Sequence, residues 1–381
     1  MAFCSDREDI NSVMLTAVDR LMKSYDIDPR DVGRLEVGTE SLVDKSKSTK
    51  TTLMRLFGDN TDIEGVTQMN ACYGGTQALL DSMSWCQSLD WDGRYAIVVC
   101  GDIAVYAPGP ARPTGGAGAV AMLIGPDAPL QPVHKARTTF CGDFYDFYKP
   151  SMGSEYPLVD GALSQVAYIQ AVDSCYQGTM SKLERIDGTD LHDVRSAFDH
   201  MAFHAPYNKL VQQSLRRLIF NDALRAAQRG VDKAEFASLA QWVNPCANAA
   251  SAEEQKAAYT ASLTDRGLDK ALQGIQGTIY DDLTADSDTL PRQIGNSYTA
   301  SLYAGLASVI DAQGQNLDGK RVGMFSYGSG SIATMFALEG HSDSSVFSLE
   351  RMQKTLRLQE RLSARRSVSA DEYLESMEQR A

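Results

Sequence analysis

Residues 94–125 read RYAIVVCGDIAVYAPGPARPTGGAGAVAMLIG, and this stretch decides the fold class. Over 94–105, apolar and β-branched residues follow one another with little alternation, the pattern of a strand buried on both faces. The Pro/Gly-rich loop APGPARPTGGAG ends that strand, and 118–125 reads as a second one. Upstream, NACYGGTQALLDSMSW (70–85) predicts a helix over 74–85, entered from a strand over 66–71. Before these lie a short strand at 34–38 and a helix at 50–57 carrying Leu53, Met54, Leu56 and Phe57. The chain opens with an amphipathic helix over 9–24, with Ile10, Val13, Met14, Ala17, Val18, Leu21 and Met22 on one face and Asp9 as its cap. Such alternation implies an α/β layered fold around a buried sheet.

Downstream, TTFCGDFYDFYKPSMGSEYP (138–157) lacks a clear period and predicts a long ordered loop or lid. HMAF at 200–203 is strand-like. Residues 221–275 are Ala-rich and charged, an inserted helical cap broken at Asn244-Pro245. Residues 320–338 read as strand, Gly/Ser turn, strand. The tail over 349–380 reads as charged helix with a break at 367–371.

With 381 residues, 43% hydrophobic and 22% charged, the chain has enough apolar material for a large core, so disordered and collagen-like classes are excluded. A net charge of −13 opposes non-specific attraction to nucleic acid or an anionic membrane, so a polyanionic ligand must meet locally placed cations. No apolar run reaches the roughly 18 residues a membrane-crossing helix needs. Seven cysteines, an odd number, include no CxxC pair and no Cys/His cluster at zinc-ligand spacing. Free thiols in the reducing cytoplasm, and no metal, are the expectation. The opening MAFCSDREDINS has neither a secretory nor a transit-peptide profile.

The sequence echoes itself. NACYGGTQALLDS (70–82) is similar to GNSYTASLYAGLAS (295–308), and the strand pair over 93–125 is similar in pattern to GKRVGMFSYGSGSIATMFALEG (319–340). Two copies of one half would put Glu40 and His204 late in corresponding strands, and Cys72 and Asn296 at corresponding strand-to-helix turns. The larger spacing in the second copy matches the helical block.

Those positions are where chemistry is expected. Cys72 would feel the positive end of the helix beginning beside Gly74-Gly75, which lowers a thiol's pKa and offers N–H groups to an oxyanion. The same residue can be a small apolar filler. His204, at a strand end before Ala205-Pro206, stands where sheets of this class place ligands, or is simply structural. Glu40, after Gly38-Thr39, is a carboxylate that partial burial would make more basic, or else a helix-capping or surface glutamate. Asn296 and the loop Ser326-Tyr327-Gly328-Ser329-Gly330 can donate hydrogen bonds.

NACYGGTQALLDSMSW, the 94–125 stretch, DFYKPSMGSEYPLVDGALS, FHAPYNKLVQQSL and GKRVGMFSYGSGSIAT, in that order, resemble the 3-hydroxy-3-methylglutaryl-CoA synthase family of the thiolase superfamily along nearly the whole chain. The resemblance implies a duplicated thiolase-like α/β/α/β/α fold with a helical insertion in the second half. Residues 1–126 would be the half carrying Glu40 and Cys72, and 127–381 the half carrying His204 and Asn296, with the insertion at about 221–275. It also implies a homodimer acting on CoA thioesters without metal or organic cofactor. Cys72 would accept acetyl from acetyl-CoA, Glu40 would be the general acid/base, and His204 would position acetoacetyl-CoA. Thr114, Ser164, Lys209, Asn296 and Ser329 would touch ligand, while Asp102, Tyr106 and Asp146 would shape the pocket.

Two residues depart from the family pattern. Pro110 stands where the family's ARPTGG loop usually carries asparagine, and Gln213 replaces a lysine of the PYxKLVQK run. Members usually begin some fifty residues earlier and continue to a Gly-Thr-Trp-Tyr segment, so this chain would lack a sheet strand, and a mitochondrial location stays open. A catalytically weak dimerisation partner of a longer synthase, and a carrier-protein-dependent β-branching enzyme, are the alternative functions.

Overall fold

The computed structural model describes residues 1–151, 153–342 and 345–380; Met152, within the 138–157 stretch, and Ala381 lie outside them. The first half runs α1 (Ile10–Tyr25), β1 (Val32–Gly38), α2 (Thr49–Leu53), β2 (Thr67–Gln68), α3 (Gly74–Trp85), β3 (Tyr95–Ile103) and β4 (Ala117–Ile124). Its sheet has the order β2-β1-β3-β4, with β1 and β3 parallel and β3 and β4 antiparallel. Then follow β5 (Leu130–Pro132), β6 (Thr138–Cys141), β7 (Phe147–Tyr148), β8 (Leu158–Val159), α4 (Gly161–Asp187), α5 (Val194–Ala197), β9 (His200–Phe203) and α6 (Asn208–Gln228). Next come helices α7 (Ala240–Ala247), α8 (Ala252–Ser262), α9 (Arg266–Gln276), α10 (Ile279–Leu283) and α11 (Thr289–Ile294), the first three corresponding to the Ala-rich stretch and the last two lying beyond it. Last come α12 (Ser301–Gln313), β10 (Arg321–Gly328), β11 (Ile332–Gly340), α13 (Leu349–Leu356), α14 (Leu358–Ser363) and α15 (Ala370–Arg380).

The duplication is visible in the pairing. Strands β9 and β10 run parallel and β10 and β11 antiparallel, as β1, β3 and β4 do, and the outer edge of β11 is covered by β5 and β6. Alternation along each strand explains the layers. Ile97, Val99 and Ile103 of β3 join α1 in one core, while Val98 and Cys100 face Ala78 and Leu79 of α3 and Leu302 and Tyr303 of α12. Val322 and Met324 of β10 meet that same central layer from the other side, and Phe325 and Tyr327 face α4 and α6. The stack is therefore helix, sheet, central helices, sheet, helix.

Four local expectations are corrected. Only Thr67–Gln68 of the predicted 66–71 strand pairs, because the chain leaves the sheet to make the turn at Cys72, whose φ is 55°. The supposed lid at 138–157 begins as strand β6, paired with β11 over Thr138–Cys141. Pro245 lies inside α7 rather than ending a helix before it. In the tail, Arg357 at φ 47° divides α13 from α14, a break the charge pattern did not signal. The composition turns Ala-rich at Asn221, midway along α6, a helix whose central residues are buried against α4.

Candidate functional site

Glycines set the first cluster. A Cβ on Gly38 would lie 2.2 Å from the Gly75 Cα, and one on Gly75 would lie 2.5 Å from the Cys100 sulfur. Only without those carbons can the start of α3 press onto the ends of β1 and β3. The glycines at 74 and 75 thus serve close approach, while the sharp backbone turn falls on Cys72 itself. The approach brings Cys72 to Glu40: the Cys72 N–H donates to Glu40 Oε2 at 2.7 Å.

Asp102, wholly buried at the end of β3, organises this corner with six hydrogen bonds. Its Oδ1 accepts from the Thr39 hydroxyl (2.8 Å), the Glu40 N–H (2.8 Å), and the Ser41 N–H and hydroxyl (both 2.9 Å). Its Oδ2 accepts from the Thr299 N–H (2.9 Å) and hydroxyl (2.6 Å). One carboxylate therefore joins the Glu40 loop to the turn that carries Asn296 in the other half. The Asn296 N–H donates to the Thr114 carbonyl (2.9 Å) and its Oδ1 accepts from the Tyr298 N–H (2.9 Å), while the Thr114 hydroxyl donates to the Ala111 carbonyl (2.7 Å). Tyr106 and Tyr298 stand edge to face beside Cys72.

The Ser329 turn reaches the same place. Gly328 packs so tightly on Ala71 that a Cβ there would fall 1.9 Å from the Ala71 carbonyl oxygen. Asp146 holds the turn, accepting from the Gly330 N–H (3.0 Å) and the Tyr327 hydroxyl (3.2 Å).

His204 follows β9, Ser164 lies in the first turn of α4 and Lys209 in the first turn of α6; among the described residues no hydrogen bond joins the three. The His204 N–H donates to the Phe325 carbonyl (2.8 Å), and its carbonyl accepts from the Tyr168 hydroxyl (2.7 Å). Ser164 lies one turn before Tyr168 on α4. Lys209 is exposed in the first turn of the 21-residue helix α6, whose N-cap, Tyr207, makes no side-chain cap. Strand β10 links His204 to the Cys72 turn. Phe325 holds His204 and Gly328 meets Ala71, three residues or roughly 10 Å apart. No hydrogen bond among the described residues joins His204 to Cys72 or Glu40 directly.

Burial tunes these groups in different directions. It raises the Glu40 carboxyl to about 7; the Lys149 ammonium opposes the rise and Asp102 adds to it. His204, 2% exposed, is lowered to about 3 by burial, so its imidazole is neutral at physiological pH. The thiol of Cys72 is pushed well above its ordinary value, first by burial and then by the charges of Glu40 and Asp102. The helix-end effect predicted to lower it is outweighed. The Cys72 N–H itself is occupied by Glu40.

Lys149 is the residue the sequence reading missed. Its Nζ lies 3.3 Å from Glu40 Oε1 and 5.3 Å from the centre of the Tyr298 ring. A single lysine in a polar, aperiodic stretch reads as a solvated cation, so no local signal marked it. Elsewhere, a cleft of about 440 Å³ between α1 and α2 is lined by Asp9, Asn11, Asp44 and Arg55 among others, apart from all of these residues. Among the described residues no group of three or more His, Cys, Asp or Glu could hold a metal ion, and no helix is long and apolar enough to cross a membrane.

A duplicated thiolase-like fold with a cysteine and a carboxylate meeting at the junction of its halves defines the class of acyl-transferring condensing proteins. Comparison with known proteins narrows it. Residues 1–129 match the family profile described as Hydroxymethylglutaryl-coenzyme A synthase N terminal, and 133–381 that described as its C terminal. Hydroxymethylglutaryl-CoA synthase erg13A of Aspergillus fumigatus is 47% identical over 98% of this chain and 77% of its own length. The mitochondrial Hydroxymethylglutaryl-CoA synthase of Homo sapiens is 46% identical over 100% of this chain and 74% of its own. The solved structure of MvaS in complex with 3-hydroxy-3-methylglutaryl coenzyme A superposes with a TM-score of 0.79 at 30% identity, covering 99% of this chain and 82% of that one. The chain belongs to the hydroxymethylglutaryl-CoA synthase family of acyltransferases.

Proposed function

We propose that this chain condenses acetyl-CoA with acetoacetyl-CoA and water to give 3-hydroxy-3-methylglutaryl-CoA and CoA through an acetyl-Cys72 intermediate, in the mevalonate route to isoprenoids. The observation that carries the residue roles is the 2.7 Å contact between the Cys72 N–H and a Glu40 carboxylate whose pKa stands at about 7. A base near neutrality is what abstraction of an acyl methyl proton needs.

The Cys72 sulfur attacks the acetyl-CoA carbonyl and CoA leaves with the thiol proton. Glu40 then removes a methyl proton from the acetyl group. The carbon so activated bonds to the C3 ketone of acetoacetyl-CoA, and the proton held by Glu40 passes to the new alkoxide. Water finally cleaves the Cys72 thioester, restoring the thiol and releasing product. The Cys72 N–H and the Ser329 turn are the groups on hand for the acyl oxygen, the former once Glu40 turns to the methyl proton. His204 acts as a neutral hydrogen-bonding group for acetoacetyl-CoA, not as an imidazolium. The phosphates of CoA meet Lys209 at the positive end of α6. Thr114 and Asn296 line the acetyl side and Ser164 the acetoacetyl side. The substrates supply all the chemistry that a cofactor otherwise would.

A homodimer in the cytoplasm is part of this reading. Val66 and Met69, flanking edge strand β2, are 50% and 66% exposed, an apolar edge suited to a second copy. The test is incubation with acetyl-CoA and peptide mass spectrometry of Cys72, followed by acetoacetyl-CoA and measurement of CoA release. Acetylation followed by turnover is expected; a folded protein that acquires no acetyl on Cys72 refutes the assignment. For His204→Ala, weaker saturation by acetoacetyl-CoA with intact acetyl loading is expected.

A further inference from the structure

Lys149 enters no step written above, yet it is built into the site. It follows β7, whose Phe147 stands edge-on to Tyr298 with ring centres 5.8 Å apart, so its backbone is anchored beside the Cys72 turn. Its side chain is 20% exposed, and its ammonium lies 3.3 Å from Glu40 Oε1 and 3.7 Å from Glu155. Glu40 thus faces an ammonium at Oε1, at ion-pair distance without a formed hydrogen bond, and accepts the Cys72 N–H at Oε2. The charges facing Glu40 are Lys149 and Asp102; those facing Lys149 are Glu40, Glu155 and Asp102, with the Tyr298 ring face beneath it.

We propose that Lys149 is a positioning residue of this site: its ammonium aims Glu40 at the acyl group on Cys72 and keeps that carboxylate ionised in a corner otherwise crowded with negative charge. This rests on the reading of Cys72 as acyl acceptor and Glu40 as base. The reason is electrostatic. Glu40, side chain 6% exposed, has lost most of its hydration, and the wholly buried Asp102 carboxylate repels its charge. A fixed cation at ion-pair distance from an oxygen that accepts no hydrogen bond is the arrangement that restores the anionic form without closing the carboxylate to a substrate proton. The aromatic face under Nζ limits where the ammonium can go.

The experiment compares wild type, Lys149→Met and Lys149→Arg. Each protein is first loaded with acetyl on Cys72, and condensation with acetoacetyl-CoA is then followed from pH 5.5 to 9. In Lys149→Met the acid limb should move up by about one pH unit, so that the rate falls about tenfold near pH 6.5 and returns toward wild type at pH 9. Lys149→Arg should leave the limb in place. A deficit equal at every pH, or a Lys149→Met profile that superposes on wild type, overturns the proposal. Should wild type itself not load acetyl, the reading of Cys72 fails separately. The Lys149 claim is then decided by the infrared carboxylate band of ¹³C-Glu-labelled protein, as the Glu40 signal identified against Glu40→Gln. That titration must shift upward in Lys149→Met and not in Lys149→Arg, and an unmoved signal overturns it.

Discussion

Replacing Glu40 by glutamine should make this protein more stable at pH 8 while abolishing condensation. The carboxyl titrates at about 7 in the fold against an ordinary 4.5. The folded state therefore holds a proton there that the unfolded chain gives up between those two values. Because the pKa is raised, the stabilising share of the protonated form is complete below pH 4.5 and is lost as pH climbs through 7. At about 1.4 kcal/mol per pH unit, the whole interval amounts to about 3 kcal/mol. Glutamine keeps an oxygen for the Cys72 N–H but carries no charge to desolvate. It also leaves Lys149 without its closest anion, a cost moderated by Glu155 at 3.7 Å and by partial exposure of the ammonium. The Lys149 ammonium stays charged from pH 4.5 to pH 8, so that cost is common to both conditions and the difference between them isolates the carboxyl. Equilibrium urea unfolding of both proteins at pH 4.5 and pH 8 gives the double difference. Glu40→Gln should gain about 3 kcal/mol on wild type between the two conditions. A double difference near zero, or one of opposite sign, would refute the claim that Glu40 is held in an unfavourable charged state.

Three further outcomes are expected. Gly38→Ala puts a carbon 2.2 Å from Gly75; α3 must retreat, at about 3 kcal/mol of stability and a large loss of condensation, and activity within threefold of wild type would contradict the close-approach argument. Asp102→Ala leaves the buried Ser41 and Thr299 N–H groups without the acceptor they share, so chemical denaturation should show a loss of roughly 3 kcal/mol, with Ser at the position rescuing little. Lys209→Ala should raise the KM for CoA thioesters about fivefold at low salt with kcat within twofold, an effect that shrinks in 0.5 M salt; Gln213→Lys, one turn along α6, should change KM in the opposite direction.

How much was legible in the sequence follows from which interactions are local. Two buried strands around a Gly-rich loop, helices at their expected spacing, and an internal repeat follow from periodicity, because burial of one face dictates the spacing of apolar residues. The long motifs around Cys72, His204 and Ser329 carried the family. Helix α4 escaped prediction: its 27 residues are apolar at Tyr168, Ile169, Val172 and Tyr176 but interrupted by Asp173, whose charge is met by Arg217 on α6, a partner 44 positions away. Tertiary pairing, invisible to a window along the chain, makes that aspartate tolerable in a core.

The same distinction governs the site. The order of residues determined that a cysteine would stand at a strand-to-helix turn beside two glycines, and that a glutamate and a histidine would end strands of two similar halves. Only the folded chain decided what those groups are electrically. A pKa depends on the water removed and the charges gathered from every direction, so the thiol of Cys72 went up where a helix end alone would have taken it down. Lys149, unremarked in its loop, became the cation of the site because three-dimensional packing carried it 109 positions back along the chain to Glu40.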